Sequence, residues 1–182
     1  MDGYFNIVLF PDNANLIASF IDLAQANLKD QAEDYLLGEQ AYPHITLCQF
    51  RSEQLQSGEL ANIWDQIKDL YNKPLMLYFH YIYILAGEKQ HIGKYWLGLS
   101  VKPTEQLINV QQKVYDKLIS CGIESDSKPD GYFPHITWGL LNGLKPITIS
   151  QYPPEAMWVN EHAFCLALGH SDKNGVFTKR VY

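Results

Sequence analysis

Cysteine is scarce in this 182-residue chain: Cys48, Cys121 and Cys165 are an odd number without metal-like spacing, which argues against a disulfide framework and suits a reducing compartment. Basic charge is also in short supply. A net charge of −6 argues against a protein that grips long nucleic acid through its phosphates, which takes a broad basic surface, and leaves room only for a local basic groove. No apolar run approaches membrane-spanning length. The start, Met1-Asp2-Gly3-Tyr4, has neither a basic stretch leading into an apolar one nor a glycine at the second position for myristoylation, so a soluble cytoplasmic protein is expected. No linker rich in Gly, Ser or Pro divides the chain. With 47% hydrophobic and 19% charged residues it reads as one globular domain of two lobes.

What the chain does contain is a repeat. Tyr42-Pro43-His44-Ile45-Thr46 returns as Phe133-Pro134-His135-Ile136-Thr137, an offset of 135 − 44 = 91 positions. The same offset carries Leu16 onto Leu107, Ile17 onto Ile108 and Leu28 onto Ile119 without a gap, and lays Ile7 to Phe10 on Gly98 to Val101. Two copies do not make a solenoid, which needs more repeats of shorter period. The expected molecule is an α+β pseudo-twofold duplication, with halves of roughly 1–91 and 92–182. Its two antiparallel sheets are flanked by helices around a central groove, and the two motif strands lie side by side.

Local signals fill in the elements. Tyr4 to Phe10 reads as a strand, Pro11-Asp12-Asn13 as turn and cap, and Leu16 to Leu28 as a helix ending near Lys29. Asp34 to Ala41 reads as a loop into the first motif. Glu53 to Leu70 has helical spacing and stops at Asn72-Lys73-Pro74. Leu75 to Leu85 reads as one long strand buried on both faces, turning at Gly87 to Gly93 into Tyr95 to Val101. Lys102-Pro103-Thr104 opens a helix that Cys121-Gly122 closes, and Glu124 to Gly131 is a loop into the second motif. Trp158 to Leu168 and Val176 to Val181 form a closing hairpin about Asn174-Gly175. The two corresponding loops, 34–41 and 124–131, are candidate lids.

In a strand, residues two apart share a face, so His44 joins Thr46 and His135 joins Thr137. Two imidazoles and two hydroxyls across one groove suit phosphodiester chemistry: one His takes a proton from the attacking oxygen, the other gives one to the leaving oxygen, and the hydroxyls hold phosphoryl oxygens. Alternation places Cys48, a small buried thiol, on the face of His44, and turns Ile45, Leu47, Ile136 and Trp138 the other way. Tyr42 and Phe133 stand at the strand entrances, where each is a candidate to stack on a base or to pack at the rim. Arg51 reads as a surface ion pair. His80, His91, His162 and His170 lack repeat partners and read as structural or surface residues, with His80 and His170 the nearest to groove candidates. Neither motif has Asp or Glu within two residues of its His, which counts against a metal hydrolase. A histidine-triad hydrolase would need His-x-His-x-His, which is absent. A non-catalytic nucleotide- or RNA-binding module is the non-enzyme rival.

The paired Pro-His-Ile-Thr strands in a duplicated strand-helix-strand order resemble the two-histidine (2H) phosphoesterase superfamily, which includes RNA 2′,3′-cyclic phosphodiesterases, 2′-5′ RNA ligase-like proteins and 2′,5′-oligoadenylate-cleaving members. The resemblance implies that His44 and His135 are the acid–base pair, that Thr46 and Thr137 bind the phosphoryl group, and that no cofactor or metal is used. It also implies a hydrolase active in RNA processing. Trp138-Gly139-Leu140-Leu141, after the second motif, lacks the basic residue frequent in its RNA-specific members. The expected substrate is a nucleotide or short oligonucleotide bearing a 2′,3′-cyclic phosphate, with 2′,5′-phosphodiester hydrolysis or ligase-like activity as the alternative and a monomer as the expected state. A symmetric sequence does not tell base from acid.

Overall fold

The chain folds as β1 (Tyr4–Pro11), α1 (Ala14–Leu28), β2 (Ala32–Leu36), β3 (Ile45–Arg51), α2 (Glu59–Ile67), β4 (Leu75–Leu77), β5 (Phe79–Ala86), β6 (Lys94–Val101), α3 (Glu105–Ser120), β7 (His135–Asn142), α4 (Glu155–Val159), β8 (His162–Ser171) and β9 (Phe177–Arg180). The structure is a computed structural model and describes residues 3–51, 53, 55, 58–143 and 148–182. The two long helices start as their caps dictate. Asn13 accepts the Leu16 N–H at 2.8 Å and Thr104 accepts the Leu107 N–H at 3.2 Å, each satisfying a donor that the first helical turn leaves orphaned. Each helix buries one apolar stripe, Leu16, Phe20, Leu23 and Leu28 in α1 and Leu107, Val110, Val114 and Leu118 in α3. Gly122, at φ 77°, closes α3 in the left-handed conformation that glycine adopts without penalty. Among the described residues no helix is long and apolar enough to cross a membrane.

The strands form two antiparallel sheets. The first runs β3-β1-β8-β4, with β9 sharing the outer edge of β8, and the second runs β2-β7-β6-β5. Each sheet takes strands from both sides of residue 91, and the two halves of the chain cross. From the first half, β2 pairs with β7. From the second, Asp126 donates its N–H to the Gln49 carbonyl of β3 at 2.8 Å, and the Ser125 hydroxyl donates to the same oxygen at 3.0 Å. The helices cross likewise. Leu28 of α1 packs on Gly139 of β7, where an added Cβ would lie 2.9 Å from the leucine Cδ1. From the buried face of α3, Gln111 donates to the Leu47 carbonyl of β3 at 3.3 Å.

The duplication extends to a defect. Opposite Ile7 and Val8 the register of β3 jumps from Cys48 to Thr46, leaving Leu47 as an extra residue. Opposite Leu97 and Gly98 the register of β7 jumps from Gly139 to Thr137, leaving Trp138. Leu47 and Trp138 are 91 positions apart, so each motif strand carries the same β-bulge immediately after its His-x-Thr. A bulge interrupts pleat alternation and re-aims the side chains beyond it.

Several expected elements differ. Residues 32–36, within and just before the expected loop, are a strand, because pairing with β7 supplies hydrogen bonds that the local sequence Ala-Glu-Asp-Tyr-Leu does not advertise. The expected strand 75–85 is two strands: β4 pairs with β8 and β5 with β6, so the chain passes from one sheet to the other at Tyr78. Nor is it buried on both faces, since Tyr81, Ile84 and Leu85 of β5 are 46%, 47% and 44% exposed on an outer strand. The second helix starts at Glu59, after the left-handed Gly58, with residues 52, 54, 56 and 57 of the expected span outside the described residues. Trp158 lies in the short α4, and the strand expected from it starts at His162.

Gly98 marks where the second bulge crowds the backbone of β6: a Cβ there would sit 2.1 Å from the Ile136 carbonyl oxygen and 2.9 Å from Thr137 Cα. Backbone cannot give way as a flexible side chain can. Gly98→Ala is expected to lower unfolding free energy by about 3 kcal/mol, the upper part of the usual overpacking range, read as a shift in urea midpoint at unchanged slope.

Candidate active site

The bulged strands β3 and β7 lie in different sheets and face one another without pairing. Between them is a cavity of about 210 Å³ lined by His44, Thr46, His135 and Thr137, together with Tyr35, Gln49, Trp96, Ser127, Asn174, Gly175 and Val176. It adjoins a second cavity of about 440 Å³ through shared walls at Gln49, Trp96, His135, Thr137 and Asn174. All four motif side chains therefore meet in one small space. Among the described residues no group of three or more His, Cys, Asp or Glu side chains is placed to hold a metal ion.

Each imidazole is tied back to its own strand entrance. His44 Nδ1 lies 2.8 Å from the Tyr42 carbonyl and His135 Nδ1 lies 2.7 Å from the Phe133 carbonyl. A carbonyl only accepts, so the Phe133 contact places a proton on His135 Nδ1 and leaves Nε2 as that ring's acceptor, whereas a neutral His44, with a carbonyl at each ring nitrogen, can donate to only one of the two. Tyr42 and Phe133 thus serve the site through their backbone oxygens, and neither ring lines either cavity. The Phe133 ring stacks on His135 at 5.2 Å between centroids, while Tyr42 packs edge-on to Phe10.

The two histidines differ in their other neighbours. His44 Nε2 lies 3.1 Å from the Gly175 carbonyl at the β8–β9 tip, an oxygen that also accepts from the Asn6 amide at 3.1 Å. Asn6 is fully buried in β1, and its own Oδ1 accepts the Ser171 hydroxyl at 3.0 Å. His135 is held instead by aromatic faces, Phe133 on one side and Tyr83 edge-on at 5.1 Å. The Tyr83 hydroxyl pairs with the Thr137 hydroxyl at 2.8 Å. Burial pulls the His44 pKa down to about 4, against the raising effect of its two carbonyls, and His135 adds to the depression as a neighbouring positive charge. Burial also lowers the His135 pKa, opposed by the Phe133 carbonyl. Burial thus holds both rings toward the neutral form.

The carbonyls of the motif threonines, at the bulges, are met by tyrosines from the opposite half. The Tyr132 hydroxyl donates to the Thr46 carbonyl at 2.9 Å and the Tyr35 hydroxyl to the Thr137 carbonyl at 3.1 Å. Burial pushes both phenols above their ordinary pKa, so they remain donors. The bulge also corrects the expected face of Cys48. That residue turns into the core, where burial drives its thiol up to about 12, and Gln49 takes its place at the groove, lining both cavities and donating to the Asp172 carbonyl at 2.8 Å.

The segments named as candidate lids are walls. Leu37 donates its N–H to the Trp138 carbonyl at 2.9 Å and Ser127 Oγ accepts the Gln49 N–H at 3.3 Å, so both are tied to the motif strands. Across the groove a different bridge forms: Asn174 Oδ1 lies 3.0 Å from His91 Nε2 and accepts from the Gln90 amide at 3.4 Å. His91 is thus at the groove. His170 packs on Phe5 at 4.8 Å, and His80 lies in a separate depression with Tyr78, Lys102 and Trp158. Arg51 pairs with exposed Glu53 at 3.3 Å, away from both cavities.

No family model matches the chain, and no curated protein matches it. Among solved structures, one described as the crystal structure of a phosphoesterase matches with a TM-score of 0.59 and 15% identity, covering 100% of this chain and 97% of that one. The chain therefore has the fold of a phosphoesterase structure over its whole length.

The depressed pKa of His44 makes stability depend on pH. The unfolded ring, near 6.5, binds a proton that the folded ring resists until about pH 4, so stability present above pH 6.5 is lost as pH falls between these values. We expect His44→Asn to flatten this part of the profile by roughly 3 kcal/mol, measured by urea unfolding across the window. An unchanged slope in the variant would remove His44 as its source.

Proposed function

We propose that the chain is a phosphodiesterase of the two-histidine type, hydrolysing a 2′,3′-cyclic phosphate of a nucleotide or short oligonucleotide. The observation that carries this reading is the convergence of His44, Thr46, His135 and Thr137 on one cavity of about 210 Å³. Water attacks phosphorus as one imidazole Nε2 takes its proton, the phosphorus–oxygen bond to one ribose oxygen breaks, and the other imidazole gives that oxygen a proton. The Thr46 and Thr137 hydroxyls hold the non-bridging oxygens. The cavity volume suits the cyclic phosphate and part of the ribose, and the adjoining 440 Å³ space, with Trp96, Tyr83 and Leu85 among its walls, has room for a base.

Turnover of the four 2′,3′-cyclic nucleoside monophosphates in the presence of EDTA tests the proposal. His44→Ala and His135→Ala are each expected to lose about 10²- to 10⁴-fold in kcat while keeping native circular dichroism. Cleavage of a 2′,5′-linked dinucleotide alone would favour the alternative linkage, and binding without turnover would favour a non-catalytic module.

Tyr83 supplies a finer test. Its hydroxyl holds that of Thr137, so Tyr83→Phe frees one side chain without opening a cavity. The expected result is a loss of about tenfold in kcat/KM, the worth of one ordinary hydrogen bond, with the two-histidine pH profile retained.

A further inference from the structure

Sheet edges expose unpaired N–H and C=O groups, and proteins guard them with charge, short length or cover. Apart from that of β5, the edges here are guarded, that of β4 by its length of three residues. The β2 edge carries Glu33 and Asp34, both within 4.0 Å of Lys94, and the short β9 carries Lys179 and Arg180. The outer side of β3 is covered by the 125–127 segment. Among the described residues the edge of β5 has none of these protections. Its eight residues, Phe-His-Tyr-Ile-Tyr-Ile-Leu-Ala, include no proline and no formal charge in a chain of net charge −6, and Tyr81, Ile84 and Leu85 are each more than two-fifths exposed. Gly87 bonds inward to the Lys94 carbonyl at 2.8 Å, so alternation turns the backbone groups of Ile82, Ile84 and Ala86 outward.

We propose that this edge is a homodimer interface, in which β5 pairs antiparallel with β5 of a second copy about a twofold axis at Tyr83. The two four-stranded sheets then join into one of eight strands. The occupant is a second copy because the strand complements itself. Pairing centred on Tyr83 sets Tyr81 opposite Leu85 on the groove face and Ile82 opposite Ile84 on the other, which are aromatic–aliphatic and β-branched pairs of the stabilising kind. Because β5 is uncharged, two acidic molecules meet there without placing carboxylates in the ladder. Leu85 lines the larger cavity, so the second copy's Tyr81 extends that wall.

Sedimentation equilibrium over a dilution series from high to low micromolar concentration tests this without any substrate. The wild type is expected at twice 20.9 kDa at the upper end. Ile84→Lys and Ile84→Pro are each expected to sediment as monomers with wild-type circular dichroism; the proline removes only an outward N–H, leaving the β5–β6 ladder whole. Tyr152→Lys, at a position 68% exposed and outside β5, is expected to remain dimeric. A monomeric wild type throughout the series, or a folded Ile84 variant that stays dimeric, overturns the proposal.

Discussion

The Thr46 and Thr137 carbonyls stand beside the two bulges, and a buried acceptor left unmet costs about 1 to 3 kcal/mol. Each is met by a tyrosine hydroxyl from the other half of the chain. Much of the arrangement follows from that exchange. Tyr35 comes with β2, which seals the edge of β7, and Tyr132 follows the 125–127 segment, which seals β3. Residues that line the smaller cavity, Tyr35 and Ser127, belong to these same sealing segments. Satisfying the bulges and walling the site are one structural act.

The twofold likeness of the motifs stops at their surroundings. Both rings are anchored at Nδ1 by a carbonyl two residues earlier, as the repeat requires. Beyond that, His44 meets a backbone carbonyl held by buried Asn6, whereas His135 meets aromatic faces and a tyrosine that grips the neighbouring threonine. Equal side chains thus sit in unequal fields, a condition that sets their proton affinities apart. The space also opens unevenly, since the larger cavity adjoins His135 and Thr137 but is not lined by His44 or Thr46.

Local chemistry made much of the fold legible. Asn13 and Thr104 announce their helices, Gly122 and Asn174-Gly175 mark a stop and a turn, and the 91-residue offset exposes the duplication together with the four side chains that meet in the cavity. What escaped is decided over distance. Residues 32–36 become a strand only because β7 lies beside them, and the apolar run from Leu75 serves two sheets in turn, which continuous hydrophobicity does not reveal. Period-two reasoning holds as far as Thr46 and fails at Leu47, so it selects Cys48 where the bulge presents Gln49. Asn6 offered a signal, as a lone amide in an otherwise apolar strand. Asn174 and His91 approach the groove from hairpin tips, whose positions no spacing encodes.

The crossing of halves also sets a schedule for the growing chain. Strand β2 is complete at residue 36, yet its partner begins at residue 135, about 100 residues and, at a typical synthesis rate of about 5–20 residues per second, some seconds later. During that wait the segment is a tethered strand without a sheet, open to association with any neighbour on the ribosome. Its sequence is suited to waiting. Glu33 and Asp34 put two negative charges in five residues, the kind of gatekeeper that keeps an unpaired strand from sticking, and once β7 arrives the same carboxylates close on Lys94 at the entrance of β6.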